Sequence, residues 1–190
     1  MRILRAENYR RMKWSNGGGE TAEIAVSPDS AGLDGFDWRV SMATVELNGP
    51  FSLFPGVDRT LSVLEGEGIV LDVEGQPQIT MTTASAPYSF PADAATNAEL
   101  VGGPIRDLNV MTRRGRWRHQ VSVRTLDGSR DVPVHGKEAL LFSGSDGLLA
   151  GLGGGQARLD RFDAVVLNDP SASLRMEGRG RFFLIEFSQL

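Results

Sequence analysis

The sequence predicts an all-β fold, a sandwich or barrel built from about a dozen short strands. Apolar and polar residues alternate through much of the chain, and the helical period is nearly absent. Gly, Pro, Asn or Asp stands between most of the alternating segments, as expected for turns. Only residues 93–101 could hold a short helix. The predicted strands are 2–7, 21–26, 36–47, 59–64, 68–73, 78–83, 105–112, 117–126, 138–143, 147–152, 162–167 and 181–187.

Three of these strands show how the faces are assigned. Residues 36–47 place large apolar side chains on one face and Arg39 and Ser41 on the other, which implies a half-polar face. Residues 105–112 place Asp107 and Asn109 on one face, opposite Leu108 and Val110. The strand at 181–187, R-F-F-L-I-E-F, is hydrophobic on both faces, so it is either a central strand or a contact between two copies of the chain.

Composition excludes several classes of site. The chain has 190 residues, 41% of them hydrophobic, with no Cys and two His. Disulfides, zinc–thiolate sites, iron–sulfur clusters and cysteine nucleophiles are therefore excluded, and two histidines cannot form a three-His metal site. Neither histidine has a serine or carboxylate partner at a spacing typical of a catalytic triad. We predict that the protein uses no metal and no cofactor.

Charge argues against nucleic acid as a partner. Lys and Arg number 20 against 24 for Asp and Glu, so the formal net charge is 20 − 24 = −4. Nucleic-acid binding normally needs a basic face. The exception is the run Arg113, Arg114, Arg116 and Arg118, which is predicted to be a solvated hairpin flank because no aromatic stacking residues accompany it.

The sequence contains no segment typical of membrane insertion. The first residues, M-R-I-L-R-A-E-N-Y-R-R, carry charges where a signal peptide needs an apolar stretch. No later apolar run approaches the roughly 20 residues that span a bilayer. We therefore expect a cytoplasmic protein with no membrane partner.

A weak internal repeat predicts two related modules. Residues 63–71 and 141–149 share a pattern of two hydrophobic residues, a glycine-containing turn and another apolar strand. No Ser-, Gly- or Pro-rich linker separates the two copies. We expect a single body over residues 1–190, with approximate modules 1–126 and 127–190 sharing an interface.

The segment W-S-N-G-G-G-E-T at 14–21 is the first candidate binding element. Three consecutive glycines are entropically costly, so they indicate positive φ or a close approach of the backbone to another group. The segment is not a phosphate-binding P-loop, because no G-K-S/T and no amphipathic helix follow it. It is either a cradle of backbone amides for a small anionic or polar ligand, bordered by Trp14, Asn16 and Thr21, or a flexible turn before a strand.

The second candidate element combines residues 49–68 with residues 104–115. Asp107 and Asn109, two residues apart, are a poor choice for a core-facing side of a strand. They either point into a polar cavity or face solvent on an edge strand. By the same parity, Arg39 and Ser41 either line that cavity or meet water, and strand boundaries are too uncertain to decide which of Arg39 and Arg59 points inward.

These two segments resemble the two sequence motifs of the cupin superfamily. With Gly66 set on the closing glycine of the first motif, Arg59 takes the place of the metal-binding Glu, and Ser52 and Phe54 lie near the His pair. In the second motif Ile105 replaces the His, whereas Asn109 keeps the Asn. The resemblance implies a cupin without metal, because a guanidinium group repels a divalent cation and attracts a carboxylate.

A closer resemblance covers essentially the whole chain. The blocks W-S-N-G-G-G-E-T-A-E-I-A, F-D-W-R-V-S-M-A, G-P-F-S-L-F-P-G-V-D-R, V-L-E-G-E-G and R-D-L-N-V-M-T-R-R-G are similar to those of the HutD/Ves family. This resemblance implies a bicupin-like fold, a cupin-like double β-barrel or jelly roll. For the HutD branch it implies a regulatory or limiting role in bacterial histidine utilisation, with a small carboxylate such as formylglutamate or urocanate as ligand. The Ves branch, linked to cold or stress responses, shares these blocks.

Three functions stay open from the sequence. The first is a non-catalytic, metal-free protein that binds a small carboxylate. The second is a metal-independent isomerase or hydrolase of a small acidic substrate, with Asp107 as base and Arg59 as electrostatic stabiliser. We prefer the first, because an arginine beside Asp107 opposes the pKa rise that a base needs. The third is a self-associating interaction module of a stress response, acting as a homodimer. The predicted ligand-binding residues are Trp14, Asn16, Gly17, Gly18, Gly19, Thr21, Arg39, Ser41, Arg59, Asp107 and Asn109.

Overall fold

The computed structural model describes residues 1–152, 154–168 and 173–190. Over these residues the chain forms β-strands and one short 3-10 helix, Ala6–Asn8, and none of its helices has the length and apolarity that a bilayer span requires. The strands are β1 (Arg2–Leu4), β2 (Arg10–Lys13), β3 (Gly19–Ser27), β4 (Trp38–Val45), β5 (Gly49–Pro50), β6 (Val57–Glu65), β7 (Ile69–Val73), β8 (Ile79–Met81), β9 (Tyr88–Pro91), β10 (Thr96–Leu100), β11 (Ile105–Arg113), β12 (Trp117–Val132), β13 (Glu138–Ser143), β14 (Leu148–Leu152), β15 (Gly155–Leu159), β16 (Ala164–Asn168) and β17 (Leu174–Gln189).

The predicted all-β, cupin-like fold is confirmed, but the local prediction for residues 93–101 is wrong, and the strand predicted at 2–7 ends at Leu4, before the 3-10 helix. The short helix expected within 93–101 is the strand β10, which pairs antiparallel with β5 and β7. Thr96 and Ala98 are buried, whereas Asn97 and Glu99 are exposed, so the segment has the period of two that sheet pairing requires. Ala, Glu and Leu favour helix only weakly, and tertiary pairing outweighs that preference here.

Residues 10–118 form one compact unit with two sheets. The larger sheet has the strand order β2-β3-β4-β11-β6-β9, and the smaller one has the order β5-β10-β7-β8. Apolar side chains from the two sheets form a common core, so the sheets pack face to face as in a jelly roll. That core comprises Ala43, Val45, Leu61, Val63, Ile69, Leu71, Val73, Met81, Phe90, Ala98 and Ile105.

Residues 1–9 and 119–190 form the second compact unit. Its sheet has the order β1-β16-β13-β17-β14-β15, and β12 also pairs with β17. The segment 181–187 lies in β17, which pairs with β12 as well as with β13 and is buried from Phe182 to Ile185. Its two apolar faces therefore belong to a central strand, and the homodimer stays a prediction without support from this segment. The modules predicted as 1–126 and 127–190 likewise stay a prediction about sequence repeats.

Three arginines of the basic run 113–118 contact the protein's own acceptors. Arg114 pairs with Asp58 at 2.7 Å and with Asp93 at 3.0 Å, and Arg116 pairs with Asp37 at 3.0 Å. The Arg113 guanidinium donates hydrogen bonds to two backbone carbonyl groups. These arginines hold loops of the 10–118 unit together.

Candidate functional site

Three adjacent strands of the larger sheet bring the predicted polar residues into one surface. β11 lies between β4 and β6, so it is not an edge strand, and the alternative that Asp107 and Asn109 face solvent is wrong. The antiparallel registers align Asn109 with Ser41, and Asp107 with Ala43. Met111 stands between the two arginines, with Arg39 opposite it on β4 and Arg59 opposite it on β6.

These side chains line a cavity of about 300 Å³ within residues 10–118. Both arginines point into it, which answers the question that the sequence left open. The predicted residues that line it are Trp14, Asn16, Thr21, Arg39, Ser41, Arg59, Asp107 and Asn109. The remaining lining residues are Ser15, Ala43, Pro50, Phe51, Ser52, Phe54 and Met111. Phe51 and Phe54 belong to the segment that resembles the first cupin motif. Their position in that motif was a signal from which lining of the cavity could have been predicted.

Arg39 is neutralised inside the protein. Its Nε atom lies 2.8 Å from Oε2 of Glu23 on β3, and its Nη1 atom lies 3.4 Å from the Ser41 hydroxyl. The two charged side chains are both largely buried. Glu23 was missed by the sequence analysis, and the available signal was an acidic residue within a predicted strand that otherwise carries small and apolar side chains. A β-bulge follows Glu23 in the pairing of β3 with β4.

Arg59 is buried without a carboxylate partner within 4 Å among the described residues. It is 4% exposed, and its guanidinium carbon lies 5.3 Å from the ring centres of both Phe51 and Phe54 and 5.7 Å from that of Phe90. Nη2 donates one long hydrogen bond, 3.4 Å, to the Ser52 carbonyl oxygen, and buried Nε has no acceptor in the described structure. A buried cationic donor without an acceptor is energetically costly, and it favours an anion in the cavity.

The protonation state of Arg59 is set by opposing effects. Burial lowers its pKa to about 10, the negative charge of Asp107 raises it, and the positive charge of Arg39 lowers it. The group therefore stays protonated at neutral pH. Aromatic rings around it supply the negative faces that stabilise a cation in a poorly solvated site.

Asp107 is a buried carboxyl group that lines the cavity. It is 1% exposed, and burial raises its pKa to about 7 against the opposing effects of the Arg59 charge, the Ala43 backbone hydrogen bond and the Asn109 side chain. Asn109 Nδ2 donates to Asp107 Oδ1 at 2.5 Å. The Arg59 charge lowers the pKa of Asp107, as the sequence analysis expected, but desolvation raises that pKa by more. Burial therefore makes the Asp107 carboxyl group easier to protonate near neutral pH than an ordinary aspartate.

The glycine segment adopts a tight turn between β2 and β3. The Trp14 amide donates to the Gly19 carbonyl oxygen at 2.9 Å, the Gly17 amide to the Trp14 carbonyl oxygen at 3.1 Å, and the Gly18 amide to Asn16 Oδ1 at 2.9 Å. These amides already have acceptors, and the three glycines do not line the cavity. The role of the three glycines in ligand binding stays a prediction. The neighbouring side chains of Trp14 and Thr21 are held together by a hydrogen bond from Trp14 Nε1 to Thr21 Oγ1, 2.8 Å long.

The cavity does not have the donor set of a metal site. The positions that resemble cupin metal ligands hold Ser52, Phe54, Arg59 and Ile105, and Ile105 is packed in the apolar core. A guanidinium, a phenyl ring and an aliphatic side chain cannot coordinate a divalent cation. In the residues that the structure describes, no group of three or more His, Cys, Asp and Glu side chains is arranged to hold a metal ion.

Comparison with known proteins identifies the family. The sequence profile of HutD matches residues 6–184. The chain belongs to the HutD family. It is 37% identical over 187 residues, 98% of this chain and 96% of the relative, to the "Uncharacterized 21.2 kDa protein in hutC 3'region" of Pseudomonas putida. It is 33% identical to HutD from Pseudomonas fluorescens, solved under a formate condition, with a TM-score of 0.84 over 100% of this chain and 98% of that one.

Two further similarities bear on branch and fold. The chain is 43% identical over 123 residues to protein Ves of Citrobacter koseri, which covers 62% of each chain. The fold resembles that of a cupin 2 conserved barrel domain protein from Leptotrichia buccalis, at 10% identity and a TM-score of 0.57, over 98% of this chain and 100% of that one. This member of the HutD family therefore has the cupin-like fold that its sequence motifs imply.

Proposed function

We propose that this HutD-family protein binds a small carboxylate in the cavity of residues 10–118 and acts without catalysing a reaction. The observation that carries the proposal is the buried Arg59 guanidinium, whose Nε donor has no acceptor among the described residues and whose side chain lines the cavity. A carboxylate is the anion whose geometry best matches a guanidinium group.

The rest of the cavity supports a small organic ligand. A volume of about 300 Å³ is at the lower end of the range for small-molecule sites. Phe51, Phe54 and Met111 offer apolar contacts, while Asn109 and Ser41 offer hydrogen bonds. A single anchoring charge with a few polar contacts and an apolar wall is typical of a site that binds a small metabolite with modest affinity.

The biological setting rests on the relatives. The Pseudomonas putida relative is named for its position in the 3' region of hutC, and the Pseudomonas fluorescens HutD structure refers to a formate condition. We infer from these names that the chain serves histidine utilisation in a regulatory or limiting role, with formylglutamate, urocanate or a similar acid as ligand. A cytoplasmic location is part of the same proposal.

Calorimetric titration tests the binding proposal. Formylglutamate and urocanate are titrated separately into the protein, into Arg59→Met and into Arg118→Met, which removes an exposed arginine outside the cavity. We expect at least one acid to bind the parent and Arg118→Met alike, and affinity to fall by roughly 10-fold or more in Arg59→Met, since hydrogen bonds to charged groups contribute about 1.5–3 kcal/mol. The proposal is contradicted if neither acid binds the parent, or if Arg59→Met binds the acid as tightly as the parent does.

A second candidate function rests on Asp107. A buried carboxyl group with a pKa of about 7 has the protonation behaviour of a general base working near neutral pH. The alternative is therefore a metal-independent isomerase or hydrolase in which Arg59 stabilises a developing negative charge. Turnover of formylglutamate or urocanate that is lost in Asp107→Asn and kept in Asp72→Asn, an exposed carboxylate on β7, would establish it. Turnover that survives Asp107→Asn contradicts this mechanism.

A further inference from the structure

Three alternate positions of β11 divide the lining of the cavity into rows. These positions are Met111, Asn109 and Asp107. Arg39 on β4 and Arg59 on β6 stand opposite Met111 and complete the first row. Because a strand rises about 3.3 Å per residue, the Asn109 row lies roughly 7 Å and the Asp107 row roughly 13 Å further along the sheet. The arginines and Asp107 therefore enter the same cavity from different levels.

The arginine row offers hydrogen-bond donors to a ligand. A guanidinium group has N–H donors and no acceptor. Buried Nε of Arg59 has no acceptor among the described residues, and Nη2 has one long hydrogen bond, to the Ser52 carbonyl oxygen. This end of the cavity therefore suits the carboxylate of the proposed ligand.

The Asp107 row offers acceptors instead. Asp107 is the one acidic side chain among the described residues that line the cavity. Its carboxyl group is buried and accepts hydrogen bonds from Asn109 Nδ2 and from the Ala43 backbone amide. An ionised carboxylate has about four acceptor sites, and a protonated one keeps part of that capacity. Acceptor sites thus remain open on a side chain that water hardly reaches.

Other donors that line the cavity are bonded to other acceptors. Trp14 Nε1 donates to Thr21 Oγ1, and Arg39 donates to Glu23 and to the Ser41 hydroxyl. A donor carried by the ligand can therefore gain a hydrogen bond at Asp107 that these groups do not make.

A ligand that meets both ends of the cavity needs two different groups. It must bring an acceptor to Arg59 and a donor to Asp107, with a short chain between them that can contact Phe51, Phe54 and Met111. An anion as small as formate could meet the Arg59 end alone and would leave the acceptor sites of Asp107 without a donor.

We propose that the cavity selects acids in which a short chain joins a carboxylate to an N–H group, with the carboxylate bound by Arg59 and the N–H group donating to the Asp107 carboxyl group. The inference rests on the proposed function and names the second group that its ligand carries. Urocanate has an N–H group in its imidazole ring, and formylglutamate has one in its formamide. The N–H group is therefore the feature, besides a carboxylate, that these two acids share.

Matched ligands test this inference on the parent chain. The furan analogue of urocanate keeps its carboxylate and its flat five-membered ring but has no N–H group, and N-formyl-N-methylglutamate lacks the N–H group of formylglutamate. Each acid and its analogue are titrated calorimetrically at pH 8, where the imidazole ring is neutral. For every acid that binds, we expect the analogue to bind at least 10-fold more weakly, because a buried acceptor then loses its donor. A smaller difference overturns the inference.

A variant assigns the donor's partner to Asp107. Asp107→Leu replaces the acceptor with an apolar side chain of similar size, and we expect the acid and its analogue to bind this variant within 2-fold of each other. The control Asp72→Asn changes an exposed carboxylate on β7 and should keep the difference of the parent. A difference that persists in Asp107→Leu overturns the assignment. The comparison of ligands on the parent chain does not depend on the folding of this variant.

The same titrations separate this inference from the proposed function. If neither urocanate nor formylglutamate binds the parent, the proposed function itself fails. If an acid binds the parent, loses affinity in Arg59→Met and is matched by its analogue without N–H, only the inference about the second group fails.

Discussion

Arg39 and Arg59 lie on the two strands that flank β11, and they show how a buried charge is either paired within the fold or left for a ligand. Arg39 and Arg59 flank Met111 at the same level of the sheet, and both are 4% exposed. Arg39 has Glu23 at 2.8 Å, whereas Arg59 has aromatic rings and one long hydrogen bond. Arg39 therefore stabilises the fold through its ion pair, whereas burial of the Arg59 charge lowers the stability of the fold.

Methionine substitutions distinguish these two roles. Arg39→Met leaves Glu23 unpaired in a largely buried site, and we expect the free energy of unfolding to fall by about 3–5 kcal/mol. Arg59→Met removes a cation without a carboxylate partner and keeps an apolar side chain against the phenylalanine rings. We expect it to leave stability unchanged or to raise it by about 1–3 kcal/mol. Urea unfolding at pH 7 measures both, and a loss in Arg59→Met as large as in Arg39→Met would contradict this account.

Asp107 makes a second prediction at the residue scale, about stability and pH. Its folded pKa of about 7 lies above the ordinary aspartate pKa of 3.8, so between these values the folded state keeps a proton that the unfolded state loses. The contribution of the neutral carboxyl group to stability is thus fully present below pH 3.8 and is lost as pH rises to 7. Asp107→Asn mimics the neutral form, so the difference in unfolding free energy between variant and parent grows with pH.

We expect this difference to approach roughly 4 kcal/mol at pH 8 and to be small at pH 4, from about 1.36 kcal/mol per pKa unit. Comparing the variant with the parent at each pH cancels the titration of all other groups. Urea unfolding at pH 4, 6 and 8 gives the three differences. A difference that is constant over this range, or that shrinks as pH rises, would show that Asp107 is ionised in the folded protein throughout.

At the scale of single elements, the turn between β2 and β3 shows which glycines are required. A Cβ atom at Gly19 would lie 2.1 Å from the Thr44 carbonyl oxygen, which is a backbone atom of the paired strand β4. Gly17 has φ +70° and open space around its Cα. We expect Gly19→Ala to cost about 3 kcal/mol or more because backbone must move, and Gly17→Ala to cost about 1 kcal/mol of left-handed strain. Chemical denaturation compares the two, and equal losses would contradict the close approach at Gly19.

The elements also show what the sequence could and could not predict. The alternation in β11 correctly placed Asp107 and Asn109 on one face, because the side-chain period of a strand is fixed by the backbone. Alternation alone left open whether that face points into a cavity or to solvent. The same reasoning failed at β10, where weak helix preferences were given more weight than the alternation of buried Thr96 and Ala98. Glu23 was missed because an ion pair between neighbouring strands depends on register, and the bulge in β3 alters that register without a clear sequence signal.

At the scale of the whole chain, two compact units share one sequence, but only one of them contains the candidate site. Every residue that lines the cavity belongs to 10–118, whereas residues 119–190 contribute a sheet with its own apolar core. The family resemblance could be predicted from the sequence because it rests on continuous blocks of residues, all of which lie in the 10–118 unit. The division of the chain could not, because the amino-terminal residues 1–9 join the unit of 119–190, and β1 pairs with β16 only after folding.

This division predicts where a ligand changes local stability. A ligand that binds only the folded state lowers the population of open states, and the effect is largest in the elements that contact it. We expect a saturating concentration of whichever of formylglutamate and urocanate binds to slow amide hydrogen exchange in β3, β4, β6 and β11, and to leave exchange in β13 and β16 unchanged within error. Arg59→Met with the same ligand should show no slowing anywhere. Hydrogen–deuterium exchange read by mass spectrometry resolves these segments, and protection that appears only in β13 and β16 would place the ligand outside the cavity.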